Sequence, residues 1–94
     1  MPGGTDTALR LDVFLARSRL IMPRQTAKRA CDNGVVSVDD RVAKPSATVT
    51  AGDRVTIRFT DQELTVRIVR MPPKSVPKNA ATDYYDVIED KRLF

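Results

Sequence analysis

Six cations, Arg10, Arg17, Arg19, Arg24, Lys28 and Arg29, stand against three acids over residues 1–34. The densest part is RSRLIMPRQTAK, residues 17–28, with four cations, no acid and a proline in its middle. An arginine fork matches two oxygens of a phosphate and a lysine adds a mobile point charge, so the chemistry on offer is recognition of a polyanion. A run of cations is most often only a solvated face, and specific anion binding needs the support of a fold. Membrane insertion fits less well. The apolar residues interleaved with Arg24 and Lys28 are small, suited to packing, and supply no Trp or Phe wedge.

Other chemistry is thinly supplied. Histidine, the commonest general base and metal ligand, is absent, and the one cysteine, Cys31, closes neither a disulfide nor a cysteine-based zinc site. Gly3, Gly4, Gly34 and Gly52 form no phosphate loop and no dinucleotide fingerprint. The carboxylate pairs Asp39-Asp40 and Glu89-Asp90 are sequence neighbours and read as a turn and a solvated face. The chain is therefore expected to be noncatalytic, with no cofactor and no metal. Its 94 residues, 41% apolar and 5% aromatic, suffice for one domain with an aliphatic core. The net charge of +4 is uneven: +3 over residues 1–34, +1 over 35–70 and zero over 71–94. No apolar run nears the roughly 20 residues of a membrane span. The opening lacks the order of a signal peptide and a lone cysteine suits a reducing compartment, so a cytoplasmic location is expected.

A few elements must position the cations. Residues 1–9 hold Pro, two Gly and two Thr, and read as a mobile leader. Leu11, Phe14 and Leu15, at i, i+3 and i+4, predict a short helix ending near Ser18. Pro23 would break that helix but suits the first turn of a second one, with Ala27, Ala30 and Cys31 as its apolar stripe and Asn33-Gly34 as its close. Arg24 and Lys28 then stand one turn apart on another face. From Val35 the period becomes twofold. VVSV, VAK, RVTIRF and LTVRIV, separated by DDR, AGD and TDQE, predict a small, mostly antiparallel sheet over the remainder of a domain spanning 10–70. MPPKSVPK, residues 71–78, packs three prolines into eight residues and reads as a stiff connector. Over 79–94, Ala81, Tyr84, Tyr85 and Ile88 recur at helical spacing with acids between them, and predict a C-terminal amphipathic helix. The expected class is α+β: two short N-terminal helices packed on a small, mostly antiparallel sheet, with a helical tail.

The order RLDVFLARSRL, PRQTAKRACDNGVVSV, DDRVAKPSATVTAGDRVTI resembles the alpha-L RNA-binding motif, the family first recognised in ribosomal protein S-four, over residues 10–57. The remainder looks like the ribosome-associated quality-control branch of that family. The related small heat-shock proteins of the ribosome usually carry a longer basic tail. The resemblance implies a noncatalytic, monomeric factor that binds large-subunit rRNA and peptidyl-tRNA on split, stalled ribosomes and supports alanine tailing by an RqcH-like partner. It implies RNA contacts at Arg10, Arg19, Arg24 and Lys28, to which the cation pattern adds Arg17, Arg29 and Lys44. Two departures stand out: Met22-Pro23 where relatives often have a basic or polar residue, and Asp39-Asp40 where they often have Asn-Gly. Such a surface would read RNA by shape and phosphate position. Tyr84 and Tyr85 read as core more than as a base-stacking pair. The alternatives are a heat-shock-type recycling factor of the large subunit and a protein-interaction adaptor with the tail helix as recognition element.

Overall fold

Leu11, Phe14 and Leu15 come to one side of helix α1 (Leu11–Arg17) and are fully buried, as their spacing requires. The computed structural model describes residues 8–92. Just before α1, strand β1 (Leu9–Arg10) pairs antiparallel with β4 (Thr48–Val49). Leu9 is thus held in a strand, while residues 1–7 of the expected leader lie outside the described residues. Helix α2 (Arg24–Asp32) follows a corner in which the Met22–Pro23 peptide is cis. Pro23 is the N-cap, extended in backbone, and its carbonyl accepts the N–H groups of Thr26 and Ala27. At the other end Asn33 caps the helix and Gly34, at φ 78°, takes the left-handed turn that glycine accommodates without a Cβ clash.

Five strands form the main sheet, in the order β3 (Arg41–Val42), β2 (Val36–Val38), β5 (Arg54–Arg58), β6 (Gln62–Ile68), β7 (Tyr85–Arg92), all neighbours antiparallel. Alternation puts Val36, Val55, Ile57, Val66 and Ile68 on one face, buried against Leu11, Phe14, Leu15, Ala27 and Cys31. Cys31 behaves as the small hydrophobe its position implies. Burial, reinforced by the Asp12 and Asp32 charges, pushes its thiol up to about 11, so little thiolate forms near neutrality. Phe59, past the end of β5, is 36% exposed and does not continue the inward row. The Asp39-Asp40 hairpin is a two-residue turn with both residues at positive φ, 50° and 71°. That is the geometry Asn-Gly would also satisfy. Asp39 compensates by accepting the Arg54 N–H on its carboxylate at 3.1 Å while its own N–H donates to the Arg54 carbonyl at 2.9 Å.

The tail corrects the helical expectation. Residues Lys78–Tyr84 form a 3-10 helix, and Tyr85–Arg92, expected to continue it as helix, are strand β7. Leu93 and Phe94 lie outside the described residues. A helix of that length is marginal unless a surface takes up its stripe, whereas β6 offers a seven-residue edge and the sequence YYDVI has strong strand preference. The register then sets opposite charges across from one another: Asp86 lies opposite Arg67 and Lys91 opposite Glu63. A bulge puts Val87 opposite Val66 and Glu89 opposite Thr65, leaving Ile88 outside the pairing and 47% exposed. Tyr85 packs on the core edge, and the Arg70 guanidinium lies 5.3 Å from the Tyr84 ring centroid.

Candidate nucleic-acid interface

Asp12, in the first turn of α1, is the centre of the first cationic cluster and is fully buried. Its carboxylate accepts Arg10 Nε at 3.1 Å on one oxygen; on the other it accepts an Arg10 terminal N–H at 3.2 Å and Arg24 Nε at 3.4 Å. Arg10 comes from β1 and Arg24 from the start of α2, so one carboxylate ties two elements at the helix pair. Burial alone would raise the Asp12 pKa, but the Arg10 and Arg24 guanidinia outweigh it and hold the carboxyl below its ordinary value. Each guanidinium has five N–H donors, of which Arg10 gives two to Asp12 and Arg24 one. Both side chains remain about half exposed. The remaining donors are therefore fixed in direction and open to an anion.

Lys28, one turn after Arg24, and Gln25 complete a cavity of about 440 Å³ with Arg10, Asp12 and Arg24. Arg29 continues the same surface along α2, in a neighbouring hollow lined also by Gln25, Lys28 and Asp32. The exposed N-terminus of α2 adds partial positive charge beside Arg24. Of the positions expected to bind RNA, Arg10, Arg24, Lys28 and Arg29 are thus brought together. Arg17 and Arg19 are not. They lie toward the other end of α1, where Arg19 donates Nε to the Val76 carbonyl at 2.8 Å, so the cations of residues 17–28, close in sequence, divide between two places. Lys44 lies elsewhere again, after β3, in a hollow shared with Cys31 and Asp32.

Charge counting alone misses Asp12, because an acid in a basic surface reads as a neutraliser. The signal that finds it is the spacing R-x-D at a helix start, with an arginine twelve residues on, one helix later. Among the described residues no group of three or more His, Cys, Asp and Glu could hold a metal ion, and no helix is long and apolar enough to cross a membrane.

Known proteins share both sequence and fold with this chain. The S4 domain model matches residues 9–55. An RQC P-site tRNA stabilizing factor of Listeria monocytogenes is 37% identical over 86 residues, 92% of each chain. That of Bacillus subtilis is 35% identical over 85 residues, 90% of this chain and 98% of the relative. Among solved structures, the trimeric structure of Vibrio cholerae Heat Shock Protein 15 superposes with a TM-score of 0.78 at 28% identity, covering 85% of this chain and 81% of that one. The chain therefore belongs to the S4-domain family and, by likeness over nearly its whole length, to its branch of RQC P-site tRNA stabilizing factors.

Proposed function

We propose that this protein is a noncatalytic, cytoplasmic RNA-binding factor of ribosome-associated quality control. It binds large-subunit rRNA and the P-site tRNA on split, stalled ribosomes as a monomer, and holds the peptidyl-tRNA in place while an RqcH-like partner extends the nascent chain with alanine. The observation that carries the reading is the buried Asp12 carboxylate beneath Arg10 and Arg24. It presents two half-exposed guanidinia in fixed directions beside Lys28, at the scale of an RNA backbone. Recognition is by phosphate position and groove shape.

The test is co-sedimentation of the purified protein with large subunits carrying P-site tRNA. Arg10→Ala with Arg24→Ala is expected to abolish binding at moderate salt and lower the salt slope by about 2, one for each phosphate contact. Unchanged binding by a folded double variant would reject the reading. The likeness to Heat Shock Protein 15 favours a second reading, a heat-shock-type recycling factor of the large subunit. Subunits with and without tRNA tell the two apart, because only the quality-control reading requires the tRNA. The adaptor alternative loses its recognition element, since Tyr85–Arg92 are a sheet strand.

A further inference from the structure

Arg17, Arg19 and Lys74 line a cavity of about 150 Å³ at the end of α1 away from Arg10, with Ser75 and Val76 among the other residues of its wall. Among the described residues that line it none is acidic, and none of the three cations ion-pairs with a carboxylate. Lys74 arrives there from the proline-rich segment 71–78, which is docked and not a free linker. Pro72 and Val76 are buried, and the Val76 carbonyl is held by Arg19 Nε at 2.8 Å. Arg19 itself stands at φ 65°, a left-handed position that favours glycine. An arginine there costs backbone strain, which its side chain offsets by fastening the segment that delivers Lys74.

We infer that Arg17, Arg19 and Lys74 form a second phosphate cradle, separate from the Asp12 cluster, that takes a backbone phosphate of the bound RNA. Three cations gathered without a counter-ion repel one another until an anion enters, and Arg19 spends one N–H on Val76 and places another by the Met22 sulfur, leaving others for an oxyanion. Seven residues of α1 separate the two clusters, about 10 Å. That exceeds the spacing of neighbouring phosphates on one strand, so the two cradles engage phosphates that are not adjacent. The inference rests on the RNA-binding reading above and adds a second anchoring point to it, one that fixes orientation as well as affinity.

The test compares Arg17→Gln with Lys74→Gln against Arg10→Gln with Arg24→Gln in the full chain. The probes are large ribosomal subunits and deproteinised large-subunit rRNA over a range of KCl, with thermal unfolding as the control for folding. The cradle variant is expected to keep its melting temperature and lose about 1–2 from the salt slope on both probes. A wild-type slope in the cradle variant, with the Arg10 and Arg24 variant weakened, overturns the cradle and leaves the proposed function standing. Wild-type binding by both variants overturns both. A loss seen on subunits but absent on naked rRNA assigns the cradle to an acidic protein surface and overturns the RNA assignment. So does saturation of the Ser75 amide signal by inorganic phosphate alone when subunit binding ignores the substitutions.

Discussion

Asp12 puts a negative charge beneath a surface that meets phosphate, and the two roles it could have there predict opposite signs. If it only contributed charge, Asp12→Asn would strengthen binding to a polyanion. If it orients Arg10 and Arg24, the same substitution weakens binding, because an amide accepts fewer of their N–H groups and the two guanidinia, still half exposed, regain rotamer freedom. We expect weaker binding to large-subunit rRNA in a filter assay, with tighter binding as the contrary result. Stability should fall by about 1–2 kcal/mol, low for a charged network because both arginines face solvent. The pH profile supplies a second readout. Burial raises the Asp12 pKa and the two guanidinia, outweighing it, leave it below the ordinary 3.8. The stabilisation is therefore complete above about pH 4 and fades as pH falls through the folded-state value. Asp12→Asn should lack that part of the acid limb in pH-dependent unfolding. The cations themselves were legible in the sequence; their grouping around a buried acid was not, because it depends on two residues meeting twelve positions apart.

Where an element is specified by local chemistry, the sequence was a reliable guide. Proline before α2, glycine after it and twofold alternation in β5 and β6 each act within a few residues. The tail is the reverse case. Its residues satisfy a helical stripe and a strand pattern alike, and the choice is made by the exposed edge of β6, more than fifteen residues upstream. The hairpin between β2 and β3 lies between these extremes. Asp39 and Asp40 both adopt positive φ, which an L-residue with a Cβ resists by about 1–2 kcal/mol, less for aspartate. Asp39 recovers part of this through its bond from the Arg54 N–H at 3.1 Å. Asp40 has only a surface pair with Arg54 at 3.7 Å, itself 84% exposed, which contributes little. Asp40→Gly should therefore raise stability by about 0.5–1 kcal/mol, read as a higher urea midpoint at unchanged slope. A drop in midpoint would mean that the Asp40 pair matters more than the backbone strain.

At the scale of the whole molecule, the matched S4 segment ends at Val55 while the core does not. Val66 and Ile68, both in β6, are as deeply buried as Val36 and Val55, and Val76 and Ala81 beyond them are buried as well. Burying Val66 and Ile68 contributes about 1.5–3 kcal/mol each, roughly 3–6 kcal/mol together. A chain of this size has a total stability of about 5–14 kcal/mol. Cutting after Arg58 removes both side chains and leaves β5 as an open edge, so residues 8–58 should show no cooperative thermal transition by circular dichroism. Cutting after Arg70 has a different consequence. It keeps Val66 and Ile68 but strips β7 from β6, exposing seven residues of unpaired strand, and it releases Arg19 from the Val76 carbonyl. That fragment should unfold cooperatively at a lower temperature and elute as an oligomer on size exclusion, since the β6 edge it bares carries two charges in seven residues, against five in eight on the β7 edge of the full chain. Its RNA binding should retain the contribution of Arg10, Arg24 and Lys28 and lose that of Lys74, so its salt slope should be shallower than the full chain's by about 1. A monomeric 8–70 fragment with the full chain's slope would show that β7 and the connector are dispensable for both fold and binding.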